Sequence, residues 1–168
     1  MSVRVTAGCV LTLAAALTVG AMAVPAQANT LTPDCVDLPE YNCTLADLRG
    51  KDFSNRAMKE ANFEAARLDN ASFRNSDLRL ANFQVALAPG VDLSGANLEN
   101  APAFATYMKG ANLQGAILRG ANFTRAILEG ANLKGADLNG TILLGTRLGG
   151  ATWVDGRVCA ADSIGECK

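Results

Sequence analysis

An apolar residue recurs at every fifth position through most of this chain. In GANLQGAILRGANFTRAILEGANLKGADLNG, residues 110–140, the recurring residues are Leu113, Leu118, Phe123, Leu128 and Leu133. On an α-helix a step of five residues advances by about 500°, so these side chains would scatter around the circumference. On a flat strand they would alternate between the two faces. They can share one interior only if the backbone turns a corner in every repeat, always in the same sense, which predicts a stacked coil.

The register of the repeat is unbroken from Leu48 to Trp153, which gives 22 apolar centres, 20 of them Leu, Phe, Met or Trp. Ala stands two residues before the centre in 15 repeats, as expected for a second inward position near a crowded axis. Two residues after the centre stand 11 Gly and four Asn, which tolerate positive φ at a tight corner. The exceptional centres, Ala88 and Ala103, each lie beside a proline, where we expect a bulge or a shifted turn.

The number of repeats per coil is suggested by a second period. Phe alternates with Met or Leu at successive centres in residues 53–83, so that like residues are ten positions apart. If like side chains stack, a coil holds an even number of repeats, and four is favoured over three.

The repeat units identify a family resemblance. Units such as Ala-Asn-Leu-Gln-Gly and Ala-Asp-Leu-Asn-Gly resemble the A(D/N)LXX motif of pentapeptide repeat proteins, and 22 of them are in phase. The resemblance implies an all-β fold, a right-handed quadrilateral parallel β-helix over residues 46–155, with about five and a half coils of 20 residues. On this geometry Phe53, Phe73 and Leu93 share one wall, and Phe63 and Phe83 share the opposite wall.

The segment that precedes the repeats has the features of an export signal. Residues 1–28 contain Arg4, an apolar run from Val10 to Val24, and a small-x-small sequence that ends at Ala28. We expect cleavage after Ala28, which leaves 168 − 28 = 140 residues. The apolar run is short for a membrane span. The prediction is an exported protein, periplasmic or secreted, without stable membrane association after cleavage.

Four cysteines flank the repeats, two on each side. Cys35 and Cys43 precede them, and Cys159 and Cys167 follow them. Even numbers of cysteines in an exported chain indicate disulfides. Three pairings are possible, and the two local ones are favoured because a stacked solenoid holds its ends apart. We therefore expect disulfide caps at residues 29–45 and 156–168, rather than a zinc site or a redox-active pair.

The composition gives little support to catalysis or to an anionic partner. The formal net charge of the chain is −1 and there is no histidine, so a Ser-His or Cys-His nucleophile is excluded. Carboxylate pairs of the kind that hydrolyse polysaccharides are not evident on neighbouring coils. The sequence predicts no catalytic residue, no cofactor, no metal, no nucleic-acid partner and no enzyme activity.

On one wall, three apolar residues occupy the position just before the centre, which is normally polar. Leu87, Tyr107 and Ile127 are 20 residues apart, with Lys109 and Glu129 beside them. They predict an exposed apolar stripe for a protein partner, whereas ordinary packing between coils is the alternative.

The sequence therefore predicts a noncatalytic exported scaffold or protein-interaction module, and association into a homodimer is compatible with it. Some cytoplasmic members of the resembled family mimic DNA and protect DNA gyrase. The export signal and near-neutral charge disfavour that alternative, and the missing carboxylate pair disfavours a carbohydrate-active β-helix enzyme.

Overall fold

The computed structural model describes residues 41–168, which belong to the compact unit Leu31–Lys168. The predicted signal peptide at 1–28, Cys35 and the greater part of the predicted cap at 29–45 lie outside the described residues. They stay predictions.

Regular structure in residues 41–168 consists of single-residue β-bridges separated by turns, and this range contains neither a helix nor a longer strand. Every parallel bridge joins a residue to the one 20 positions later, from Asn42–Asn62 to Asn132–Thr152. Bridging residues are five positions apart along the chain, apart from one missing bridge. The chain therefore returns to the same column of bridges after four repeats. Its right-handed sense stays a prediction.

The hydrogen bonds that the five backbone N–H groups of one repeat, residues 111–115, donate explain the stacking. The N–H groups of Leu113 and Gly115 donate to carbonyls one coil ahead, at 2.8 and 3.0 Å. The N–H of Asn112 donates to a carbonyl one coil behind, at 2.9 Å, and that of Ala111 closes a turn within its own coil, at 3.1 Å. The remaining N–H, on Gln114, donates to Oδ1 of Asn112 at 3.2 Å. Every amide of the repeat thus has an acceptor, and the Asn or Asp before the centre serves its own turn.

The corners have left-handed backbone, as the Gly and Asn positions predict. Gly115 has φ of 65° and Asn100 has φ of 57°. The same conformation occurs at every fifth residue from Leu45 to Gly150. Because glycine enters this region without a Cβ clash, the sequence places it at half of the predicted corners.

The predicted interior is observed. Phe53 and Phe73 stack with ring centroids 4.9 Å apart, and Phe63 and Phe83 stack at 5.0 Å. Across the axis, Phe63 meets Phe73 edge-on at 5.2 Å. The centres from Leu48 to Leu133 are buried, and burial of each large side chain contributes about 1.5–3 kcal/mol. Leu138, Leu143 and Trp153, in the last coil, are only partly buried.

The expected bulges at the two prolines are wrong, because the regular spacing continues through both. Pro89 occupies the position after the centre, whose N–H makes no backbone hydrogen bond in this coil, so nothing is lost there. Pro102 occupies a bridging position, and the Asn82–Pro102 bridge is missing. Its carbonyl still accepts from Phe83 N–H at 2.8 Å. One lost hydrogen bond is tolerated without a change of register.

The C-terminal segment reverses over the last coil. Antiparallel bridges join Thr152 to Val158 and Arg147 to Ile164, and the predicted disulfide joins Cys159 to Cys167, with an S–S length of 2.06 Å.

This C-terminal cap lies close to the coil. A Cβ added to Gly149 would approach the Ala161 carbonyl oxygen to 2.5 Å. The cap pairs with only two of the four columns of bridges.

Candidate interaction surface

The structure brings the three predicted stripe residues together. Parallel bridges join Leu87 to Tyr107 and Tyr107 to Ile127. Leu87 is 46% exposed, whereas Tyr107 and Ile127 are half-buried. The column of bridges continues to Arg67 below and Arg147 above. The apolar stripe, Leu87, Tyr107 and Ile127, is therefore continuous and has a cationic residue at each end.

The stripe residues lack the turn-capping function of their polar counterparts. Where the residue before the centre is Asn or Asp, its side chain accepts the N–H two residues on, as Asn122 does from Thr124 at 3.0 Å. Leu87 needs no such role, because Pro89 has no N–H to satisfy. Ile127 has no acceptor atom in its side chain, and the Tyr107 side chain accepts no hydrogen bond from the backbone within residues 41–168. On this wall, three successive coils place an apolar side chain at an outward position that most other repeats fill with a polar, turn-capping residue.

Two further apolar residues extend the surface around the corner. Val85 is 46% exposed, and its N–H donates to the carbonyl of Phe104 at 2.9 Å. Phe104 is partly exposed and lies under the guanidinium of Arg125, 6.0 Å from the ring centroid. Sequence reasoning missed both residues. The available signal was a large apolar residue at positions that most other repeats fill with polar residues or glycine.

Val85 is also conformationally unusual. It is a β-branched residue with φ of 50°, a region that such residues rarely occupy. A glycine or asparagine would fit this corner with less strain, so local stability does not account for valine here.

Ion pairs border the stripe. Glu129 contacts Lys109 at 3.9 Å and Arg147 at 2.5 Å, and Arg67 lies 3.7 Å from Asp69. These groups are at least partly exposed, so each pair contributes at most about 1 kcal/mol to stability. Their position suits the polar rim that surrounds the apolar centre of a protein interface.

A second candidate site, a groove on the coil surface, is polar and has no apolar centre. Arg74, Asn75, Ser94 and Gln114 line it, and it encloses about 340 Å³. Burial raises the pKa of the neighbouring Asp92 carboxyl, but hydrogen bonds from Ser94 and the charge of Arg74 outweigh this and leave the pKa lowered. The ionised carboxylate neutralises Arg74, 3.3 Å away. The groove therefore presents neither a net charge nor an activated nucleophile.

Other acidic groups are perturbed by local pairing. The Arg49 guanidinium hydrogen-bonds Asp47 and holds the pKa of its carboxyl at about 2. Arg79 lowers the pKa of Asp77 in the same way, at 2.6 Å. Each pair joins two residues of the same repeat, and both pairs lie on the surface.

Thermal stability is expected to be flat between pH 5 and 8, because the chain has no histidine to titrate there. The lowered carboxyl pKa values of Asp47 and Asp77 give stability that is present above the unfolded value, about 3.9, and is lost as pH falls through the folded values. Circular-dichroism melts across pH 2–8 should show a decline only at the acid end. A step in the melting temperature near neutrality would contradict this.

The predicted cysteine sites are partly described. Cys159 and Cys167 are buried as a disulfide. Cys43 is buried at the other end of the coil, and its predicted partner, Cys35, is outside the described residues. Among residues 41–168, no group of three or more Cys, Asp or Glu side chains is arranged to hold a metal ion. That part of the chain also has no helix with the length and apolar character of a membrane span.

Comparisons with known proteins agree with the repeat geometry. The family model for pentapeptide repeats matches eight copies, in residues 42–84, 66–101 and 106–152. The chain belongs to the pentapeptide repeat family. No curated protein matches it in sequence.

Solved structures of the family are similar to this chain. A pentapeptide repeat protein, Rfr23, from the cyanobacterium Cyanothece 51142 is 28% identical, with 67% of this chain and 89% of that chain covered and a TM-score of 0.64. HetL from Nostoc sp. strain PCC 7120, a pentapeptide repeat protein involved in heterocyst differentiation regulation, is 29% identical, with 72% and 63% covered and a TM-score of 0.37. QnrB1, a plasmid-mediated fluoroquinolone resistance protein, is 24% identical, with 66% and 62% covered and a TM-score of 0.37.

Proposed function

We propose that this chain is a noncatalytic, exported pentapeptide-repeat protein that binds a protein partner through the apolar stripe. The continuous stacking of Leu87, Tyr107 and Ile127 carries the proposal, because parallel bridges hold all three on one wall. Val85 and Phe104 enlarge the apolar centre, and the ion pairs of Glu129 form its rim.

The coil is suited to a scaffold role. We propose that it is a right-handed quadrilateral column, in which each coil supports its neighbours through hydrogen bonds and a shared core. Such a wall loses little conformational entropy on binding, since its backbone is already ordered. Export to the periplasm or the medium follows from the predicted signal at residues 1–28.

The two alternatives have less support. A DNA mimic that binds gyrase needs a strongly anionic surface, but the chain has 16 acidic and 15 basic residues. Its surface carboxylates, such as Asp77 and Glu129, pair with arginines. A carbohydrate-active enzyme would need a free carboxylate pair at working separation, and the perturbed aspartates here are ionised structural partners.

Replacing Leu87, Tyr107 and Ile127 together with Asn is expected to weaken partner capture at least tenfold without loss of thermal stability. Asn is common at this position in other repeats, where it accepts the turn N–H, as in Asn112. An Asn at 107 or 127 can do the same, and at 87 Pro89 leaves no N–H to satisfy. The measurement is quantitative mass spectrometry of proteins that copurify with the exported chain, followed by calorimetric titration of the captured partner. Binding should fall at least tenfold, since hot-spot residues each contribute about 2 kcal/mol or more.

Ile117→Asn is the matched control, because Ile117 occupies the same repeat position in another column and is half-buried. It should retain full capture. Unchanged capture by the triple variant would refute the stripe as the binding surface. Loss of stability in the triple variant would show that the stripe packs the coil instead.

A further inference from the structure

The C-terminal end of the coil is only half covered. In the two columns that the cap does not cover, one set of backbone groups has no hydrogen-bond partner within residues 41–168: N–H of Leu138, Gly140, Leu143 and Gly145 and C=O of Ala136 and Thr141. These groups point along the axis, since their counterparts in each lower coil bond to the coil above. Exposed apolar residues, Ile142 and Leu144, border this open half. It is an unpaired sheet edge with an apolar rim.

The cap shows which kind of segment the end coil accepts. Over one column, Trp153 N–H donates to Arg157 C=O at 2.7 Å, and Cys159 N–H donates to Ala151 C=O at 2.8 Å. In this column the coil bonds to the cap through the N–H of the centre, Trp153, and the C=O of the residue two positions before it, Ala151. The same two kinds of group are unpaired in the open half.

The cap itself has an unused outer edge. Val158 and Ile164 bridge to the coil through the backbone groups of their sequence neighbours, so their own N–H and C=O face away from it. Neither residue makes a backbone hydrogen bond within the described part of the chain. Their side chains are 67% and 59% exposed. The end of the molecule thus has an open coil edge beside an open cap edge.

The chain direction makes these two edges complementary between copies. The cap runs antiparallel to its own coil. When two copies meet head-on, their coils circulate in opposite senses, so the cap of one copy runs parallel to the coil of the other. In a parallel pair, one residue uses both its own N–H and its own C=O, and it bonds to the C=O and the N–H of the two residues that flank its partner. Val158 has both groups free, and the free C=O and N–H of the coil flank Asp137.

We propose that a second copy of this chain docks head-on at the C-terminal end, each cap filling the open half of the other copy. In this register Val158 lies against Asp137 of the second copy, and Ile164 lies against Ile142. Val158 donates to the C=O of Ala136 and accepts from the N–H of Leu138. Ile164 pairs in the same way with Thr141 and Leu143.

A second copy fits this end better than a single extended peptide does. The two open columns are separated by a corner at Gly140, where φ is 70°, and a straight strand can follow only one of them. The cap crosses an equivalent corner between Val158 and Ile164. It therefore has the shape that both open columns require, and a two-fold axis satisfies both copies at once.

The oligomeric state tests this interface. Sedimentation equilibrium of the protein as its expression host exports and processes it should show a reversible dimer at micromolar concentrations. Val158→Asp should weaken dimerisation at least tenfold, because it places a carboxylate against Asp137. Adding Asp137→Lys to this variant should restore dimerisation, a rescue that a general loss of stability would not produce.

Leu80→Asp is the matched control, since Leu80 is 44% exposed at a corner far from the end of the coil. It should dimerise like the original chain. Hydrogen exchange gives an independent readout: the amides of Leu138 and Leu143 should become more protected as protein concentration rises. A monomer at every concentration, or a Val158→Asp variant that dimerises normally, would overturn the proposal.

Discussion

Phe123→Asp is expected to lower the free energy of unfolding by more than about 5 kcal/mol. Phe123 is fully buried. Its N–H donates to the C=O of Ile142 in the coil above at 2.9 Å, and its C=O accepts from the hydroxyl of Thr146 at 2.8 Å. Removal of the ring alone costs about 3–5 kcal/mol. An unpaired carboxylate on the axis adds the cost of desolvation, and no Lys or Arg side chain is buried among residues 41–168 to pair with it.

The measurement is urea unfolding followed by circular dichroism. Phe123→Ala is included in case the Asp variant does not accumulate as folded protein. Thr124→Asp is the control, because it adds the same charge one residue later, on the outward side, and should change stability by less than about 0.5 kcal/mol. Equal losses for the two Asp variants would contradict an inward Phe123. Because coils depend on their neighbours, the loss should appear in the whole column.

Removal of the disulfide by Cys159→Ser together with Cys167→Ser is expected to cost about 2–3 kcal/mol and to detach the cap. The bond closes a short loop, with a sequence separation of 8. The cap is otherwise attached through few hydrogen bonds, such as Leu148 N–H to Ser163 C=O at 2.9 Å. Detachment would leave four columns open instead of two, so concentration-dependent aggregation should increase.

Thermal melts and light scattering with and without reductant measure this effect. In the original chain, reductant should lower the melting temperature, whereas the double-Ser variant should already melt low and lose less on reduction. Two free thiols should appear after denaturation in reductant-treated protein for each disulfide broken. Unchanged melting of the double-Ser variant would show that the cap is held by backbone contacts alone.

The interior of this protein was predictable because it is set by a single local rule repeated many times. An apolar centre, a small residue before it and a glycine or asparagine after it describe burial and corner together. The alternation of Phe63, Phe73 and Phe83 with smaller centres indicated an even number of repeats, and bridges between residues 20 positions apart agree. Pro89 and Pro102 were misjudged, because the cost of a proline depends on which N–H the coil uses, and periodicity does not reveal that.

The surface was predictable only in part. Leu87, Tyr107 and Ile127 were recognisable because they share one repeat position at the interval of one coil. Val85 and Phe104 occupy different repeat positions, and only the folded corner brings them beside the stripe.

The amino-acid sequence by itself determined the coil, its core and its corners, since each depends on residues within one repeat or at a fixed interval. Tertiary structure alone decided how the coil ends. The C-terminal segment could have covered all four columns or none, and its antiparallel reversal over Arg147 and Thr152 leaves two of them open. Where a nonrepeating segment lies depends on its contacts with the finished coil, and no local pattern encodes those contacts.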